Sequence, residues 1–227
     1  MCFSAAASFT TAGVLAASGA YCVSRAYKQS PKYLPMAFMP LVVAVQQFFE
    51  GMAWVSAESN ASSSLYTSAL AYMFFVWVFW PSWVPYMTSV LEPYQQKKKL
   101  LSSLSLAGFI FGLILYVPYF FYPSWLQAQI LCHSIDYKTT VIPDQFVPRS
   151  LTALIYLAFV GAAPLLSSHR QLKIFGLSLM LFVPLTYFAY SYAYISVLCF
   201  FAAIATVQLV YIISEDKCAV GAYAYKN

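Results

Sequence analysis

The chain has 227 residues; 62% are hydrophobic and 8% are charged, with 12 Lys and Arg against 7 Asp and Glu and a formal net charge of +5. A soluble domain carries about a quarter charged residues, and a nucleic-acid binder needs Lys and Arg clustered on a wetted face. The composition therefore excludes a soluble domain, a disordered chain and a nucleic-acid partner, and predicts an all-α polytopic membrane protein with the lipid bilayer as its surroundings.

A helix needs roughly 20 apolar residues to cross about 30 Å of hydrocarbon. Stretches of that kind run over residues 3–24, 33–57, 65–91, 100–122 and 151–168, with Glu50 as the one charge inside the second. Residues 174–213 then carry no charge at all. As one helix they would extend about 60 Å, twice the hydrocarbon core. A tight turn near Tyr190–Ala193 divides them into spans 174–190 and 192–213, which makes seven spans in a single domain, 1–227. The segments are apolar all round, whereas barrel strands alternate over about ten residues. Pro81 and Pro85 break the third span, and Pro184 predicts a kink in the sixth. The one long link, residues 123–149, holds Cys132, His133, Asp136 and Asp144. Loops beyond about 12–15 residues are uncommon unless they act as lids or binding elements.

The short links give the orientation. Arg25, Lys28, Lys32, Lys97, Lys98, Lys99, Arg170, Lys173, Lys217 and Lys226 fall on one side, and Lys138 and Arg149 on the other. Basic links mark the cytoplasm, so the N-terminus is expected outside and the C-terminus inside. The first span is not expected to be a cleaved signal peptide, because its basic residues follow the apolar run instead of preceding it. Asn60-Ala-Ser is a glycosylation sequon by pattern, on the outer side.

An ionisable group inside a span costs a few kcal/mol or more and is a functional-site candidate by default. Glu50 is that group, with Gln46 four and Gln47 three residues before it on the same helical face. The plain alternative is a neutral Glu50 hydrogen-bonded to a neighbouring helix. Cys2 lies at the outer end and offers a thiol beside an α-amine if Met1 is removed; it is equally suited to a disulfide with Cys132. His133 stands in the outer link with Asp136 three residues on, a spacing in which a carboxylate can orient an imidazole. Cys199 lies at about the depth of Glu50 in the seventh span. Thiolate, imidazole and carboxylate are zinc donors, and soft donors also suit copper(I). Cys2, Glu50, His133 and Cys199 are thus a candidate metal set, and Glu50, His133 and Cys2 candidate catalytic groups. No Cys-x-x-Cys or His-Glu-x-x-His spacing accompanies them. Glu92, beside the lysine triplet, is expected in a salt bridge or solvated, and His169 solvated.

The opening Met1-Cys-Phe-Ser-Ala-Ala-Ala-Ser-Phe9, Gln46-Gln-Phe-Phe-Glu50-Gly-x-x-Trp54, Trp80-Pro-x-Trp-x-Pro85, Cys132-His-Ser-Ile-x-Tyr137 and Ser196-Val-x-Cys199-Phe-Phe-Ala-Ala resemble blocks of an uncharacterised family of mostly bacterial seven-helix membrane proteins. The resemblance covers the whole chain. It implies a bacterial cytoplasmic (inner) membrane and favours treating Cys2, Glu50, His133 and Cys199 together, but implies no activity.

These readings lead to an outward-facing site that binds a metal ion or small ligand, with a metal-dependent membrane hydrolase as its most specific form and zinc or copper as candidate cofactors. A proton- or cation-coupled transporter or channel using Glu50, gated at Pro81 and Pro85, is the alternative. A sensor or assembly subunit, in which Glu50 is structural, is the third. Oligomerisation is left open.

Overall fold

The computed structural model describes residues 4–131, 133–146 and 148–189 and, beyond them, residues 195, 203, 204, 206–211 and 213. The described residues form α1 (Ala5–Gln29), α2 (Pro31–Glu58), α3 (Ser62–Leu91) and α4 (Gln95–Phe121), a hairpin of β1 (Leu126–Leu131) and β2 (Ser134–Thr139), then α5 (Arg149–Leu166) and α6 (Arg170–Ala189). Helices α1 to α5 are each long and apolar enough to cross a membrane. Helix α6 stands where the sixth span is expected. The expected turn at residues 190–193, and most of the seventh span, lie outside the described residues.

Helix ends overrun the charge-free stretches. Helix α4 begins at Gln95, not Leu100, and carries Lys97–Lys99 in its first turns. Lys is a good helix former, so a charge ends a hydrophobic run without ending a helix. Ser4 caps α1 by accepting from the Ala7 backbone N–H at 3.2 Å. The chain leaves α1 at Ser30, whose extended backbone is what a following proline, Pro31, imposes.

Helix α3 changes pitch at its centre, where a π-helical turn, Phe75–Phe79, precedes Trp80–Leu91. Pro81 and Pro85 have no N–H to return to the carbonyls of Trp77 and Pro81, four residues back. Both carbonyls lie against glycines of α4. A Cβ on Gly112 would stand 2.2 Å from the Trp77 oxygen, and one on Gly108 would stand 2.1 Å from the Pro81 oxygen. Only a bare Cα tolerates that approach, so the Gly108-x-x-x-Gly112 spacing is a helix–helix contact of the small-residue kind. The proline break is thereby packed into a seam, which Ser105 Oγ extends by donating to the Ser82 carbonyl at 2.7 Å.

The link expected as a loop contains the antiparallel hairpin, in register from Leu126 opposite Thr139 to Leu131 opposite Ser134. His133, in the turn between the strands, has φ 60. Asn60, in the turn between α2 and α3, has φ 55 and is exposed, a left-handed conformation that Asn tolerates better than most residues.

The buried apolar residues form two clusters. One includes Cys22, Met36, Val43, Met87 and Phe175. The other includes Ala53, Trp54, Tyr72, Tyr119, Ile135 and Tyr137, so the inward side of the hairpin is part of the core at its end of the bundle. Along α2, Val43 and Ala44 belong to the first cluster, Ala53 and Trp54 to the second. The segment between them holds the polar residues.

A candidate site in a buried polar layer

Gln46, Gln47 and Glu50 are 1%, 1% and 0% exposed. The Gln47 side-chain amide donates to Glu50 Oε2 at 3.1 Å. Gln46 Oε1 accepts from the Trp80 indole N–H of α3 at 2.9 Å. Glu50 and Gln46 have further interactions within the protein. The layer is therefore bonded both along α2 and across to α3, as a polar group in an apolar interior must be.

Two further buried donors lie at about its level along the helices. Trp54, one helical turn from Glu50, is 3% exposed, and its indole N–H has no hydrogen-bond partner among the described residues. Ser8 of α1 is fully buried and its hydroxyl is in the same condition. Helices α1 and α2 run antiparallel, with Gly19 against Leu41 and Phe9 against Gly51. That register sets Ser8 opposite the turn between Glu50 and Trp54. A buried donor without an acceptor costs about 1–3 kcal/mol, so Trp54 and Ser8 are each suited to an acceptor-bearing ligand.

On the hairpin side of the layer the packing is aromatic and bonded. Tyr72 of α3 stacks on Tyr137 of β2, with centroids 4.8 Å apart and rings 7° from parallel. The Trp77 indole N–H donates to the Tyr119 hydroxyl at 3.1 Å, and the Tyr66 hydroxyl donates to the Tyr119 carbonyl at 2.5 Å.

The other expected site residues are placed differently. His133 is exposed in the hairpin turn. Asp136 does not orient it as the spacing suggested; its Oδ2 accepts from the cross-strand Gln129 at 3.2 Å, because directly opposed residues in a hairpin meet more readily than residues around its turn. Cys2, Cys132 and Cys199 lie outside the described residues. Among the described residues no three His, Cys, Asp or Glu side chains stand together in a way that could hold a metal ion. The named bonding partners of the layer are amides and an indole, which suit a hydrogen-bonded ligand better than a cation of the zinc type.

At the opposite end of the bundle, Glu92 is 4% exposed. Its carboxylate accepts from the Ser168 backbone N–H at 2.8 Å, Ser168 Oγ at 2.7 Å and Ser167 Oγ at 3.4 Å. Lys97 donates to Ser168 Oγ at 3.0 Å, and the His169 Nε2 lies 2.8 Å from the Leu91 carbonyl. Glu92 is therefore a buried tie between α3 and the α5–α6 link, in place of the expected salt bridge or solvated side chain, and His169 is bonded instead of solvated. Burial works to raise the Glu92 pKa. The bonds from Ser168, the Tyr94 backbone N–H and the Lys97 charge outweigh it and hold the carboxyl below its ordinary 4.5.

A family model for a family of unknown function, DUF6629, matches residues 1–224. The chain belongs to that family. Neither a curated protein nor a solved structure matches it. The DUF6629 match spans the polar layer, the hairpin and the Glu92 tie alike. Within it, Trp80, Trp54 and Ser8 are the layer residues that sequence reasoning did not select. Trp54 carried a signal, lying four residues from Glu50 and so on the same face. Ser8 and Trp80 stood inside family-like blocks, but only the packing of α1 and α3 against α2 brings them to the layer.

Proposed function

We propose that this protein is an integral membrane protein of seven spans, N-terminus outside and C-terminus cytoplasmic, that binds a small polar ligand at Glu50 from its outer side. The five apolar helices and the ten basic residues on one side of the predicted spans support the first part; a bacterial inner membrane is the proposed location. In that orientation the hairpin is outside. Glu50 lies eight residues from the end of α2 at Glu58, roughly 12 Å in.

The observation that carries the reading is the fully buried Glu50 carboxyl together with two unpartnered buried donors, Trp54 one turn further along α2 and Ser8 at the same level on α1. The matching ligand offers an acceptor to the indole and hydroxyl and a donor or positive charge to Glu50. A metal ion, zinc or copper, is a second form of ligand and would need the thiol of Cys2 or Cys199, or the His133 imidazole, beside Glu50 as co-ligand. The hydrolase form of the proposal rests on that metal. Protein purified in mild detergent is expected to hold a stoichiometric small molecule or metal by native mass spectrometry and elemental analysis, lost in Glu50→Gln. If wild type and Glu50→Gln carry the same complement, or neither carries anything, the binding reading fails.

Proton- or cation-coupled transport is a second reading, favoured by a carboxyl buried between the two apolar clusters. Its expected signature is an ion or proton flux in proteoliposomes that Glu50→Gln abolishes. The Pro81–Pro85 break lends it little support as a gate, because Gly108 and Gly112 pack against the freed carbonyls.

A further inference from the structure

A relay of contacts runs from the centre of the bundle to its hairpin end through residues that the Glu50 layer does not use. The Trp77 indole donates to the Tyr119 hydroxyl at 3.1 Å, and the side chain of Thr139, the last residue of β2, lies within electrostatic reach of that hydroxyl. Arg149, the first residue of α5, grips the same threonine twice. One guanidinium nitrogen donates to the Thr139 carbonyl at 2.6 Å and the other to its hydroxyl. Asp144 lies 3.6 Å from the guanidinium and accepts from the Val141 backbone N–H at 3.1 Å, which fixes the short helical turn between the hairpin and α5. The planar guanidinium suits this two-pronged contact, which an ammonium could not reproduce.

What the relay fastens is a cover. Leu126, Ile135 and Tyr137 of the hairpin are buried in the same cluster as Ala53 and Trp54 of α2, and Trp54 is one turn from Glu50. The Tyr72–Tyr137 stack is the other contact pinning β2 to the bundle. The hairpin has a single neighbour strand at each position, so its own ladder does not hold it to the helices, and a two-stranded hairpin alone is marginally stable. Its closure depends on the side chains beneath it and on the Arg149 grip.

We propose that the β1–β2 hairpin is a hinged lid over the approach to the Glu50 layer, and that Arg149, through Thr139, is its latch. This rests on the Glu50 reading for its purpose, though its test does not require a ligand. Arg149 is about half exposed, with side-chain exposure of 47%, so a soluble anion on the outer side can compete for the guanidinium and release the lid.

The test uses full-length protein in proteoliposomes, with Cys2→Ser and Cys132→Ser as background and Ala53→Cys as reporter, since Ala53 is fully buried under the lid. Labelling by a membrane-impermeant maleimide is expected to be slow with Arg149 present and about tenfold or more faster in Arg149→Ala. Arg149→Lys and Thr139→Val, which remove one prong each, are expected between the two. Peptides covering residues 126–139 are expected to exchange amide hydrogen faster in Arg149→Ala while those of α2 and α4 hold their rates. Fast labelling of the parent, or an unchanged rate in Arg149→Ala and Thr139→Val with helical content retained, overturns the proposal. Labelling is read without any added ligand and does not depend on one, so failure of the binding reading and failure of the latch give different results.

Discussion

Replacing Glu50 in two ways separates its packing from its chemistry. Glu50→Gln keeps the shape and still presents an oxygen to the Gln47 amide, which donates to Oε2 at 3.1 Å. Its stability cost is expected to stay within about 1 kcal/mol. Glu50→Ala removes that acceptor and leaves the Gln47 donor, 1% exposed, inside an apolar span, at a cost of about 1–3 kcal/mol. It also opens a cavity where four side-chain atoms stood, adding about 1–2 kcal/mol. For a chain of this size each kcal/mol moves the melting midpoint by about 2–4 °C, so Glu50→Ala is expected to melt about 10 °C below wild type and Glu50→Gln close to it. The assay is thermal unfolding in detergent, followed by tryptophan fluorescence and checked by circular dichroism. Both variants are expected to lose the bound ligand. If the alanine variant melts with the glutamine one, the carboxyl does not support the layer, and the argument from buried polar bonding is wrong.

Three further outcomes follow from the packing and the charges. Gly112→Ala, whose new methyl would meet the Trp77 carbonyl at 2.2 Å, is expected to destabilise by about 2–3 kcal/mol as an overpacked backbone contact. Gly13→Ala, which meets nothing within 4 Å, is expected to be neutral or to gain about 0.5–1 kcal/mol of helix propensity; equal effects at the two sites in a melting comparison would refute the close α3–α4 approach. Trp80→Phe keeps the ring and deletes the N–H that reaches Gln46 at 2.9 Å, so a loss of about 1–2 kcal/mol is expected, measured by the same melting assay. Glu92 titrates below its ordinary 4.5 in the folded protein; its contribution is therefore complete above pH 4.5 and is lost as pH falls through the lower folded value. An acid melting series is expected to show that loss in wild type and not in Glu92→Gln; parallel curves would refute it.

The helical character of the chain, with apolar runs of span length, was legible in the residues themselves. Hydrocarbon admits a backbone only if its polar groups bond within the segment, so apolar runs of span length read directly as helices, and α1 to α6 start and end within a few residues of the expected stretches. The burial of Glu50 was legible for the same reason, since a lone carboxyl in such a run must find partners inside the protein. Its neighbours were legible only as far as helical spacing reaches: Gln47 is bonded to it as the three-residue interval implies, and Trp54 lies one turn on. Tertiary structure decided the rest. Gln46 turned to Trp80, Ser8 came in from α1, and Glu92 found Ser167 and Ser168 across 75 residues, contacts that no local period encodes. The hairpin escaped notice because its alternation runs only six residues a strand and reads as a polar link until Ile135 and Tyr137 are seen buried against Trp54 and Tyr72. Local spacing determines which residues share a helix face; only the packing of one helix on another determines what that face meets.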